Sequence, residues 1–134
     1  MVKKLVLVES KEDVEDLKQE MKDSKIISFD FESHKLLKNY GINHTLVEEY
    51  LSKNDEELLD NKTVELTTGW YQHPEIKELL NFNKINLGSL LQIEIIWYFF
   101  QFLKRNLGIK RVIEKENPEE VSTSFLSNST LQIC

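Results

Sequence analysis

Residues 5–31 read LVLVESKEDVEDLKQEMKDSKIISFDF, and their pattern decides the fold. The run Leu5, Val6, Leu7, Val8 lacks polar alternation, which is how a strand covered on both faces of a parallel sheet reads. Ser10 follows as a helix N-cap. Its hydroxyl suits the amide near Asp13, whose carboxylate suits the positive end of the helix dipole, and Val14, Leu17 and Met21 follow at helical spacing. Asp23 and Ser24 close that element. Residues 25–31, with Ile26, Ile27, Phe29 and Phe31, read as a second strand because β-branched and aromatic side chains dominate. Strand, helix, strand at this length is a βαβ unit, whose crossover is nearly always right-handed and whose strands run parallel. The carboxyl ends of the two strands, near Ser10 and near residues 30–34, then share one edge, which is where a ligand crevice belongs.

Outward from this unit the chain becomes helix-rich. Residues 34–39 read as one or two helical turns stopped by Gly41, and residues 42–46 as a third short strand or a loop. Asn54, with Glu57 in the capping-box position, is expected to cap a longer helix whose inner face carries Leu58, Leu59, Leu66 and Trp70. Pro74 opens a short helix up to Leu80, and Asn86 starts the main helix. That helix is apolar on nearly every side between Leu90 and Leu103, the pattern of a helix buried among neighbours, with Asn106 and Gly108 as points where it could break. Residues 120–125 read as another strand, and residues 131–134 as the start of a helix. A helix that short is not stable alone, so the chain is expected to be one α/β domain, residues 1–134, forming the amino-terminal part of a larger two-domain protein.

Composition bounds the function. The 134 residues carry 17 basic and 23 acidic side chains, a net charge of -6 that supplies no basic field for phosphate backbones, so nucleic acid is disfavoured as a partner. The single cysteine, Cys134, permits no internal disulfide, and the apolar run near the start is too brief for a signal-peptide core; both fit a cytoplasmic location. The most apolar stretch, residues 90–103, is shorter than the roughly 20 residues that span a bilayer, so no transmembrane segment is expected.

Asp30-Phe31-Glu32 is the sharpest local feature. On a strand, alternation would set both carboxylates on one side, where they could share a divalent ion. The triplet resembles the first motif of the DEDD 3′-5′ exonucleases, which implies a metal-dependent nuclease using Asp30 and Glu32. The later acids of that family are not found: His44 is followed four residues on by Glu48, and Tyr71 by Glu75, with no aspartate at either position. No metal is therefore assigned, and His44 and His73, single and far apart in sequence, receive no ligand role. Glu94, a carboxylate within the apolar helix, must be paired, exposed or protonated, and a solvent-facing or subunit-interface position is expected.

A second resemblance covers residues 5–125. Residues 28–35 (SFDFESHK), Gly41-Ile42 with Tyr50-Leu51, Trp70-Tyr71, and residues 86–90 (NLGSL) before Glu94 look like the amino-terminal domain of GT-B-type glycosyltransferase-like proteins of surface polysaccharide synthesis. The resemblance implies a partial Rossmann-like parallel sheet that binds a sugar or lipid-linked acceptor, facing a separate carboxyl-terminal nucleotide-sugar domain. It implies no cofactor. The crevice edge would carry Ser10, Asp30 and Ser33 as substrate-binding residues, with Glu32 and His34 as catalytic ones; His34 is favoured because histidine titrates near neutrality. Asn86, opening the main helix with Leu87, Gly88 and Ser89, would present amides to a phosphate. A non-catalytic interaction domain, self-associating through the helix around Trp97, is the alternative of a different class.

Overall fold

In the computed structural model, residues 2–124 are described. The chain divides into two compact units, one formed by Met1–Leu51 with Gly108–Cys134 and the other by Ser52–Leu107. The first holds the α/β architecture and the second is the helix-rich middle.

The first unit is built on an all-parallel sheet. Its strands are β1 (Lys4–Val8), β2 (Lys25–Ser28), β3 (Thr45–Leu46) and β6 (Glu120–Thr123), in the spatial order β3-β2-β1-β6. The register pairs Leu5 with Lys25, Lys4 with Glu120, and Ile27 with Thr45. Helix α1 (Lys11–Asp16) links β1 to β2, and α2 (Phe31–Asn39) links β2 to β3. The run Leu5 to Val8 is fully buried because both sheet faces are covered. On one face Val6, Val8 and Ile26 pack with Val14, Leu17 and Met21 and with Leu37 of α2. On the other, Leu5, Leu7, Ile27 and Phe29 meet Val47 and Tyr50 of a 3-10 turn (Val47–Tyr50), together with Ile109 and Val112. Each such aliphatic side chain contributes about 1.5–3 kcal/mol when taken out of water.

Ile109 and Val112 belong to α5 (Leu87–Glu116), a helix of 30 residues that passes through Asn106 and Gly108 without the break expected there. The reason at Gly108 is packing: a Cβ there would come within 2.5 Å of Val47 Cγ2, so the small residue lets helix and 3-10 turn approach. At the amino edge of the sheet Glu116 accepts from Lys25 Nζ at 2.7 Å and from the Tyr50 hydroxyl at 2.7 Å. Burial pushes the Glu116 carboxyl up, but these two donors outweigh it and hold the group below its ordinary range.

The second unit contains α3 (Lys53–Gln72), α4 (Pro74–Leu80), the hairpin β4 (Asn81–Phe82) and β5 (Ile85–Asn86), and the first part of α5. Helix α3 is capped by Ser52, not Asn54, because Ser52 and Asp55 close a reciprocal box: the Asp55 amide donates to Ser52 Oγ, and the Ser52 amide donates to Asp55 Oδ2. Its inner face carries Leu59, as expected, with Thr63, Thr67 and Tyr71, while Leu58 and Leu66 are exposed and Trp70 is half-buried. Residues 81–86, for which the sequence pattern predicts no strand, form an antiparallel hairpin. Its two-residue turn, Asn83 and Lys84, has positive φ at both positions, the conformation that fits the twist of tight hairpins. Apolarity on all sides of α5 does not mean burial here: Leu90, Ile93, Trp97 and Tyr98 lie 62–80% exposed.

The strand expected over residues 120–125 is present as β6 up to Thr123; Phe125 and the expected final helix at residues 131–134 lie outside the described residues. No helix among the described residues is long and apolar enough to cross a membrane.

Candidate functional site

Parallel strands bring the carboxyl ends of β1, β2 and β6 to one edge, and the residues just beyond them form the candidate site. The order β3-β2-β1-β6 sends successive connections to opposite sides of β1, so the topological switch lies between β1 and β6. There Ser10 caps α1, its Oγ accepting from the Asp13 amide at 3.1 Å, while Asp13 Oδ2 accepts from the amides of Glu9 and Ser10 at 2.9 and 2.8 Å. Ser124, just past β6, donates its hydroxyl to Asp13 Oδ1. Burial raises the Asp13 carboxyl, but the bonds from Ser124, Glu9 and Ser10 together outweigh it, so the group is held below its ordinary value and ionised. Asp13 thus fastens the loop after β6 to the loop after β1. Sequence reading had Asp13 only as a helix-start acid; its tie to Ser124 spans the length of the unit and leaves no local signal.

At the end of β2 the reading of residues 29–32 is corrected. The strand stops at Ser28, Asp30 is the N-cap of α2, and Phe31 and Glu32 are its first helical residues. Asp30 Oδ1 accepts from the Ser33 amide at 2.8 Å, so the aspartate satisfies the helix start. Phe31 points outward, 72% exposed, which a core-facing strand residue would not. The alternation that would have aligned Asp30 and Glu32 for a metal is therefore absent, because helical geometry fans successive residues about 100° apart. Glu32 is exposed in the first turn. No group of three or more candidate metal ligands occurs among the described residues.

Ser33, expected to touch substrate, is fully buried instead. Its Oγ lies 2.7 Å from Ser28 Oγ and donates to the Asp30 carbonyl, a polar knot that fixes the strand-to-helix turn. His34, one residue on, is half-buried, and its Nδ1 lies 2.8 Å from His44 Nε2. His44 Nδ1 in turn lies 2.8 Å from the Ile42 carbonyl oxygen. The two rings meet edge to face with centroids 5.0 Å apart, beside the short outer strand β3. His44, given no ligand role from the sequence, lies ten positions from His34, and the two meet because the chain turns at Gly41 between α2 and β3.

Asn86 belongs to the second unit. Its Oδ1 accepts from the Ser89 amide at 3.2 Å and its carbonyl accepts from Ser89 Oγ at 2.7 Å, the bonds of an ordinary helix start. Gly88 beside it is explained by close packing, since a Cβ there would stand 2.2 Å from Tyr71 Cβ. Glu94 is exposed, one of the three states expected for it.

No protein family, curated sequence or solved structure matches this chain.

Proposed function

We propose that this chain is the acceptor-side, Rossmann-like part of a glycosyltransferase-like protein of surface carbohydrate synthesis, acting in the cytoplasm with a separate domain that holds the nucleotide-sugar. The observation that carries the reading is the parallel sheet in the order β3-β2-β1-β6, with Ser10, Asp30 and His34 just beyond or beside its carboxyl edge. A hydroxyl-rich ligand suits such an edge, because it needs several oriented acceptors and donors and one group able to take a proton. In this reading His34 is the acid-base residue, Glu32 assists from the rim, and Ser10 and Asp30 bind acceptor hydroxyls.

The test is a titration of the isotopically labelled chain followed by amide NMR, with N-acetylglucosamine, a short oligosaccharide and a nucleotide-sugar as probes. Perturbation by the sugars at Ser10, Asp30 and His34, with none by the nucleotide portion, is the expected result. Absence of any sugar-induced shift at that edge up to millimolar probe would rule the reading out.

A second reading has its own observation. Leu90, Ile93, Trp97 and Tyr98 project from one half of α5 as a large exposed apolar surface, which fits self-association. Under this reading the chain is a homo-oligomeric interaction domain, and light scattering decides: a monomer at high concentration removes it.

A further inference from the structure

The hydrogen-bond chain from His34 to Ile42 fixes where the protons sit. The Ile42 carbonyl can only accept, so the 2.8 Å contact places a hydrogen on His44 Nδ1. In the neutral ring His44 Nε2 is then an acceptor, so the 2.8 Å contact to His34 requires the hydrogen on His34 Nδ1. That leaves His34 Nε2 as the atom bearing the free lone pair. From this geometry we infer that His34 is held as the Nδ1–H tautomer with Nε2 as its proton-accepting atom, and that His44 is the positioning residue that selects this state.

The two rings and the carbonyl form a series in which each group orients the next, the arrangement by which a base is held in one tautomer and one rotamer. When a ligand hydroxyl gives up its proton, its O–H bond breaks, the Nε2–H bond forms on His34, and the electron pair stays on oxygen. The resulting imidazolium keeps its Nδ1–H bond to neutral His44, so no partner has to move. The base role rests on the acceptor reading proposed above; the tautomer and the part played by His44 do not.

The experiment uses the full chain labelled with ¹⁵N-histidine and observes long-range proton–nitrogen correlations at a pH where the rings are neutral. The three histidines give separate patterns, with the exposed His73 as internal reference. His34 and His44 are expected to show a protonated Nδ1 and a bare Nε2. A protonated Nε2 on His34 overturns the inference. In His44→Phe, which keeps a ring without an acceptor, His34 is expected to lose its Nδ1–H preference; retention of the Nδ1–H form overturns the positioning role. Should that variant fail to fold, His44→Leu, which also lacks an acceptor, gives the same decision: loss of the Nδ1–H preference on His34 is expected, and its retention overturns the positioning role. A correct tautomer with no response to sugar at Nε2 would count against the acceptor reading alone.

Discussion

Substituting alanine at Gly88 and at Gly69 should have opposite effects, although both glycines lie in helices. At Gly88 an added Cβ would stand 2.2 Å from Tyr71 Cβ and 2.7 Å from its Cγ. Ordinary carbon contacts are about 3.5–4.0 Å, so the two helices must part by roughly 1.5 Å. The Tyr71 Cβ is fixed to the backbone of α3 and cannot turn away as a side-chain tip could. Such overpacking costs about 1–3 kcal/mol, against at most ~1 kcal/mol of better helix propensity, and separation also weakens the 2.9 Å bond from the Tyr71 hydroxyl to Gln92. Net loss should be about 2 kcal/mol, roughly 30-fold in the folding equilibrium. At Gly69 nothing lies within 4 Å of the added Cβ, and the residue is exposed inside α3, so alanine should stabilise by ~1 kcal/mol. Urea unfolding followed by circular dichroism measures both. A Gly88→Ala protein as stable as wild type would refute the packing account.

Substitutions at Glu116, Asp13 and Asp30 test the bonds described. Glu116→Gln should cost about 1 kcal/mol, because the amide oxygen still accepts from the buried Tyr50 hydroxyl and only the charge-assisted part of its bonds is lost, the bond to the part-exposed Lys25 being screened; thermal melts of the single variant and of its double with Tyr50→Phe separate the two contributions. Because the folded Glu116 carboxyl is held below its ordinary value of 4.5, its stabilisation is present above that pH and is lost as pH falls through the lower folded value; acid unfolding of the Gln variant should lack this component. Asp13→Asn should lose about 1–2 kcal/mol and loosen the loop after β6, read as faster amide exchange at Ser124. Asp30→Ala should cost ~1 kcal/mol as a lost N-cap and leave magnesium titrations unchanged; a variant that abolished a measurable magnesium affinity would restore the metal reading.

The opening βαβ unit was legible because its signals are local: an unbroken apolar run, then a cap residue and an acid three positions on. At Phe31 an aromatic after Phe29 fits strand alternation, yet the strand ends at Ser28 and Phe31 is helical. Asp30 with Ser33 three residues later already has the spacing of a helix start, and the helix begins there. Helix α3 starts at Ser52 and not at the expected Asn54 because Ser52 and Asp55 close both reciprocal bonds. Helix α5 misled for a different reason, since an all-round apolar pattern states that burial would be favourable without saying what provides it. His44 carried no signal, as its worth comes from a neighbour that only the fold supplies.

The placement of β6 has a consequence for how the molecule forms. Strand β1 is bordered by β2, about twenty residues later in the chain, and by β6, which begins at Glu120. During synthesis the βαβ unit emerges early with one flank of β1 bare, and that flank stays open until the whole of the helical middle has left the ribosome. Non-local parallel pairing of this kind slows folding and leaves an unpaired edge exposed to other chains. Refolding should therefore show an early phase from the βαβ unit and a slower one in which the Asp13–Ser124 bond forms, and a chaperone that shields the open flank should raise the yield of the slower phase.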